Sequence, residues 1–242
     1  MKRFGYFLLV LIATVLLFSC KRNIEEGKGQ ITTKSYAVNG FTSIDVNAPV
    51  DIEIKIANVT QPTVSIKGYG NLLEKIKCEV KNGVLDISKE GIITFYTDKD
   101  IVAEVTMPAL TALTIKGAAD AKIIGKLAGS SFSLNVKGAG DVEIDELYTE
   151  KFESSVSGAG DLTVKSGSVN FASFNVAGAG DVDAFGLQVK KMKARLSGAG
   201  DIEVSASESI DATINGAGSI NYKGNPTVQS DINGIGSIEK VN

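Results

Sequence analysis

The tetrapeptide Gly-Ala-Gly-Asp recurs four times at a spacing of 20 residues, beginning at Gly138, Gly158, Gly178 and Gly198. Looser copies flank the series. Gly117-Ala118-Ala119-Asp120 stands 21 residues upstream, and Gly216-Ala217-Gly218-Ser219 and Gly234-Ile235-Gly236-Ser237 follow at spacings of 18. A period of this length marks a stack of coils, in which each repeat buries its apolar face against its neighbours.

The residues around the glycines identify the kind of coil. Two positions before the first Gly of each copy stand Ile115, Val136, Val156, Val176, Leu196, Ile214 and Ile232. After the Asp or Ser come Ala121, Val142, Leu162, Val182, Ile202, Ile220 and Ile238, and polar residues such as Glu143, Thr163, Asp183 and Glu203 follow them. This alternation is that of half-buried strands, and no helical period survives in this half of the chain. At about 3.3 Å per strand residue, a coil of 18–21 residues accommodates roughly three short strands and their corners, the size of a parallel β-helix turn. Coils about 4.8 Å apart make the interval from Gly117 to Gly234 a rod on the order of 29 Å long. Equivalent side chains then stack in ladders: Phe132 and Phe152, continued by Phe171 or Ala172 and then Met192, and a second of Leu127, Leu147 and Leu187.

Seven glycine copies inside strands would each cost roughly 0.5–1 kcal/mol relative to Ala unless the backbone required them. The pattern therefore predicts a structural corner at Gly138-Gly140, Gly158-Gly160, Gly178-Gly180 and Gly198-Gly200, with a positive φ or a close approach of successive coils. A dinucleotide-binding reading fails, because it needs a third Gly opening a helix where strand residues Val142-Glu143 follow. The calcium-binding nonapeptide coil would show its glycines twice per coil, and here they appear once.

The column Asp120, Asp141, Asp161, Asp181 and Asp201 holds the chain's most suggestive chemistry. Stacked carboxylates repel, and a cation between them would relieve that. The simpler expectation is that each Asp closes its corner by accepting a hydrogen bond from a nearby backbone N–H. Ser219 and Ser237, which take the position in the last two coils, suit that task and are poor ligands for a hard cation. No metal site and no cofactor are expected.

Composition narrows the activity. The chain of 242 residues has no His, which removes Ser-His-Asp and Cys-His catalytic sets and His-based metal sites. Carboxylate chemistry of the polysaccharide-cleaving kind stays open, but it would need acidic residues that break the repeat, and those of the column follow it.

Residues 1–19 read as a lipoprotein signal peptide: Lys2 and Arg3, an apolar stretch from Phe7 to Phe18, then Leu17-Phe18-Ser19-Cys20 as the processing site, with Phe18 a departure. A plain secretory peptide with an incidental Cys is the competing reading. Cys20 is the expected lipidation site and the membrane contact, and residues 20–35, polar and containing Gly27 and Gly29, read as a flexible tether. Loss of Lys2 and Arg3 leaves 23 basic against 28 acidic residues, a net charge of −5, which gives no footprint for nucleic acid. With Cys20 acylated, Cys78 has no disulfide partner, and a buried small hydrophobe is its expected role.

Residues 36–115 are strand-rich but irregular. Phe41 to Val46, Val50 to Ile56, Thr63 to Ile66, Val84 to Ile87 and Ile101 to Val105 alternate, and turns are expected at Asn47-Ala48-Pro49, Asn58 to Pro62 and Asn82-Gly83. Lys67-Gly68-Tyr69-Gly70 reads as a degenerate corner, and Asn71 to Lys77 as a short helix or an irregular coil. This part either continues the solenoid with longer coils or forms a β cap over the regular coils of residues 116–242.

The lipoprotein signal, Gly40-Phe41-Thr42-Ser43-Ile44, Asn82-Gly83-Val84-Leu85-Asp86-Ile87, Met107-Pro108-Ala109-Leu110, the serial Gly-Ala-Gly-Asp, Gly224-Asn225-Pro226 and Gly234-Ile235-Gly236 together resemble the "putative autotransporter adhesin, head GIN domain" family of Bacteroidetes. The resemblance covers roughly residues 36–242. It implies an all-β, β-helical fold and an envelope location, and it brings no catalytic or binding residues with it. A surface-export signal would place an acidic run after the lipidated Cys; Lys21-Arg22-Asn23 departs from that, so the orientation across the outer membrane stays open. The expected protein is a non-enzymatic, lipid-anchored outer-membrane solenoid that presents a ladder face to a glycan or protein. A carbohydrate-active β-helix enzyme and an envelope-stress or assembly component are the alternatives.

Overall fold

The structure, a computed structural model, describes residues 23–242; the signal peptide and Cys20 lie outside them. Strand accounts for 70% of the fold and helix for 2%, arranged as a β-solenoid of about six turns of stacked parallel coils. Its regular part runs through β10 (Ala112–Gly117), β11 (Ala121–Gly138), β12 (Val142–Gly158), β13 (Leu162–Gly178), β14 (Val182–Gly198), β15 (Ile202–Ile214), β16 (Ser219–Lys223), β17 (Thr227–Ile232) and β18 (Ser237–Lys240).

Each full coil is one continuous strand of 17 or 18 residues and not three separate short ones. Equal coil lengths explain this. When every coil has the same number of residues, corner residues also meet corner residues, and parallel pairing runs on around the bend, from Val142↔Leu162 to Gly158↔Gly178. Departures from 20 residues are absorbed locally. The 21-residue first interval is taken up between Ile123 and Lys126, where the register of β11 against β12 shifts. The shortening to 18 falls between Ala184 and Gln188 and between Val189 and Lys191, where β14 meets β15.

The interior is filled by ladders of aliphatic and aromatic side chains. Phe132 and Phe152 stack with centroids 5.8 Å apart and planes 3° from parallel, and Phe174 meets Phe152 edge-on at 81°. Register places Ala172, not Phe171, above Phe152, with Met192 next. A volume exchange makes this fit: Phe152 with Ser154 becomes Ala172 with Phe174 and then Met192 with Ala194, so bulk shifts two positions along the strand and the layer stays full. The leucine ladder pairs Leu127 with Leu147, is interrupted by Gly167, and resumes at Leu187.

The N-terminal part both continues the solenoid and caps it. β3 (Ser43–Asn47) and β4 (Asp51–Ile56) pair in parallel with β10 and β11. β7 (Val84–Lys89) and β9 (Val102–Met107) add the next layer beneath them. β5 (Thr63–Tyr69) and β6 (Ile76–Lys81) then close the stack by antiparallel pairing to β9 and β7, and β2 (Ile31–Tyr36) pairs antiparallel with β5. Antiparallel strands end a parallel stack because they satisfy its open edge without offering a new coil.

Two expectations for this part are corrected. Lys67-Gly68-Tyr69-Gly70 is no corner: its first three residues belong to β5, and Gly70 opens the one-turn helix α1 (Gly70–Leu73), which buries Leu72 and Leu73. From Asn23 on, the expected tether is structured, since β1 (Asn23–Glu26) pairs with β8 (Ile93–Tyr96) and β2 follows. The Asn71 amide ties this segment down by donating to Glu25 Oε1 and the Glu26 carbonyl. Local polarity signalled a linker; partners far along the chain supply the strand pairing.

Candidate functional site

The Gly-Ala-Gly-Asp corners stack into a continuous column along the rod. Ala159, Ala179 and Ala199 donate their amides to the carbonyls of Gly138, Gly158 and Gly178 one coil earlier. The two glycines of a corner serve different needs. Gly158 has φ +135, and a Cβ there would overlap the Gly138 carbonyl oxygen. Gly160 needs no positive φ, yet a Cβ would overlap the Gly140 carbonyl in the same way. The backbones of successive corners are in direct contact, and only a residue without a side chain on that side permits it.

The aspartates join the coils through both backbone and side chain. The amides of Asp141, Asp161, Asp181 and Asp201 donate to Oδ1 of the preceding column member at 2.9, 2.9, 2.8 and 2.7 Å. In the opposite direction, Val142, Leu162 and Val182 donate to the carbonyls of Asp161, Asp181 and Asp201. Each carboxylate therefore accepts from the next coil, not from its own turn, because stacking places that amide about 4.8 Å away along the axis. The column ends at Ser219, whose amide donates to Asp201 Oδ1, while its hydroxyl meets that of Ser237 at 3.3 Å.

The structure also extends the column downward to a residue the repeat did not mark. The Asp120 amide donates to Oδ1 of Asp51 at 2.9 Å. Asp51 lies in the irregular part, 69 residues before Asp120, with no Gly-Ala-Gly ahead of it, so spacing held no signal for it. Asp51, Asp100, Asp120, Asp141 and Asp161 line an open groove of about 560 Å³, within the range of small-ligand sites. Lys122 lies on its wall and pairs with Glu143 at 3.0 Å; Lys165 pairs with the same carboxylate at 2.7 Å and with Asp145 at 3.1 Å.

Electrostatics differ along the groove. Asp51 is half-buried, and burial raises its carboxyl above the ordinary value; the Asp120 amide opposes this, and the carboxylates of Asp120 and Asp100 add to it. The ammonium groups of Lys165 and Lys122 hold Glu143 below its usual value. No aromatic side chain lines the groove. Among the described residues, no group of three or more His, Cys, Asp or Glu is placed to hold a metal ion. Cys78 is buried in the cap, and its thiol is pushed up to about 12, by burial first and then by Asp86. Among the described residues no helix is long and apolar enough to cross a membrane.

Comparisons agree with this architecture. A putative adhesin from Bacteroides fragilis NCTC 9343 is 29% identical, with a TM-score of 0.86 over 90% of this chain and 100% of that one. A protein from Parabacteroides distasonis ATCC 8503, described as a putative lipid binding protein, is 25% identical with a TM-score of 0.73 over 91% and 100% of the two chains. A putative adhesin from Parabacteroides merdae ATCC 43184 shares the fold at 22% identity, with a TM-score of 0.72 over 91% of this chain and 100% of its own. No curated protein sequence matches. Residues 40–226, which hold the Gly-Ala-Gly-Asp corners and most of the cap, match the family described as "putative auto-transporter adhesin, head GIN domain", and the chain belongs to that family.

Proposed function

We propose that the protein is a non-enzymatic scaffold of the cell envelope, anchored to the outer membrane through lipid on Cys20, which presents its solenoid face to a glycan or protein. The observation that carries this reading is the repeating use of the carboxylates. From Asp51 to Asp201 each column member spends Oδ1 on the amide of the next coil. Catalytic acid and base need environments that push them apart, whereas from Asp120 to Asp201 the column repeats one exposed, hydrogen-bonded arrangement along the rod. The Gly and Asp corners are accordingly structural in this proposal, and binding is weak per coil, gaining strength when many anchored copies engage together.

One observation favours a second reading. Asp51 is half-buried, with its carboxyl raised by that burial, whereas the column members above it are exposed, and coils about 4.8 Å apart set successive column positions near the roughly 5 Å carboxyl separation of retaining glycosidases. A glycan array combined with a polysaccharide-cleavage panel separates the two. Binding without release of reducing or unsaturated ends supports the scaffold; release that Asp51→Asn abolishes decides for an enzyme. The lipid-binding description of the Parabacteroides relative gains no support from the coil interior, which Phe132, Phe152 and Phe174 fill. Membrane attachment is checked separately by Cys20→Ala, which is expected to abolish lipid labelling and leave an uncleaved or wrongly processed precursor; normal lipid labelling of that variant would count against the anchor.

A further inference from the structure

The two ends of the solenoid are treated differently. At the N-terminal end, antiparallel β5 and β6 cover the last parallel layer. At the C-terminal end, β17 pairs only with β15, and β18 only with β16. Inward-facing residues that are sealed one coil earlier are open here: Ile214 is fully buried, while its ladder neighbour Ile232 is 40% exposed. The corner position held by Ala in the preceding coils becomes Ile235, 88% exposed. Edge strands are commonly blunted by Pro, charged side chains or a bulge; β17, Thr-Val-Gln-Ser-Asp-Ile, holds no Pro or Lys and a single charge, Asp231, with Pro226 just before it.

The backbone of β17 defines what can fill this edge. Asn233 donates to the Ile214 carbonyl, so by strand alternation the odd-numbered residues of β17 turn their amides and carbonyls toward β15. Val228, Ser230 and Ile232 turn theirs outward. Their side chains continue the interior ladders of Ile210, Ala212 and Ile214. An antiparallel strand whose outward backbone groups fall at the same alternate positions would satisfy all three residues at once, and β17 itself is such a strand.

We propose that the last coil is a self-association edge, and that two copies of this chain join tail to tail with β17 antiparallel to β17 across a two-fold axis at Ser230. In this register Ser230 faces its own copy, and Val228 faces Ile232 on the interior side in two symmetric pairs. All six outward amides and carbonyls of the two strands exchange hydrogen bonds. On the outer side Gln229 faces Asp231, so no like charges meet, although the mature chain as a whole is acidic. A patch that is complementary to itself under a two-fold rotation is the requirement for a closed dimer, and apolar cross-strand pairs favour the pairing.

The test is sedimentation of the full chain in detergent, with two variants at one position. The wild type is expected at twice the monomer mass. Ser230→Pro removes an amide that points away from β15, so it should keep the β-sheet circular dichroism of the wild type and weaken dimerisation by at least about tenfold. Ser230→Cys should form a disulfide-linked dimer on mild oxidation, because opposed Cα atoms in a hydrogen-bonded antiparallel pair lie about 5.5 Å apart, within disulfide reach. Cys78, being buried, does not compete, and Ser173→Cys in mid-rod serves as the negative control. A monomeric wild type at tens of micromolar overturns the proposal. So does a dimer that persists in Ser230→Pro, or a dimer in which Ser230→Cys fails to cross-link. If Ser230→Pro does not fold, the cross-link alone decides.

Discussion

The backbone amide of Asp161 donates to Oδ1 of Asp141 at 2.9 Å, across 20 residues of chain and one step of the stack. Every carboxylate in the column is thus an acceptor for the coil that follows it. That sets what a substitution at one position must do.

Asp161→Ala removes the acceptor for the Asp181 amide and leaves the Asp161 amide on Asp141 untouched. The expected cost is about 1 kcal/mol, measured by urea unfolding. Asp161→Asn keeps an oxygen in place and is expected to be near neutral. Asp161→Ser is expected to behave like Ala, because the Ser219 hydroxyl meets the Ser237 hydroxyl and not its amide. Chelators are expected to leave the melting temperature unchanged, and a calcium-dependent rise would argue for ion binding in the column.

Gly158→Ala should destabilise far more than its single methyl suggests, since it meets both a positive φ and the Gly138 carbonyl. A loss of more than about 2 kcal/mol is expected. Gly129→Ala is the matched control: it lies in the same strand fold, and nothing stands within 4 Å of the added Cβ. Similar melting temperatures for the two variants would refute the contact argument.

Phe152 and Phe171 look alike in the sequence but face opposite ways. Phe152→Ala removes a fully buried ring stacked on Phe132 and should cost about 3–5 kcal/mol. Phe171 lies between Lys151 and Lys191 on the outer face, and Phe171→Ala should cost under about 1 kcal/mol. Thermal denaturation of the pair checks the register of the aromatic ladder.

Asp51 carries the pH dependence. Its folded carboxyl titrates above the ordinary value of 3.8, so between those two values the native state holds more protons than the unfolded state. Its contribution to stability therefore falls as pH rises through that window. Asp51→Asn removes the half-buried charge and keeps an acceptor for Asp120. Relative to wild type, the variant is expected to be more stable near neutrality than it is below the ordinary carboxylate value. The opposite ordering in denaturant midpoints would show that the Asp120 amide outweighs the burial.

The repeat alone determined the solenoid, the coil length and the inward columns, because an axial stack forces equal spacing on every residue that touches its counterpart. Gly158 and Asp161 were legible for that reason. Asp51 was not, since its place beneath Asp120 is set by β4 pairing with β11, a contact that no period announces. The choice of Ala172 over Phe171 likewise needed the register, because a shift of one residue turns a strand side chain from the interior to solvent. At the N-terminus, the largely polar segments Asn23–Glu26 and Ile31–Tyr36 became strands through β8 and β5. Whether a polar segment is linker or strand depends on an unsatisfied edge elsewhere in the fold, and only the tertiary structure shows where that edge lies.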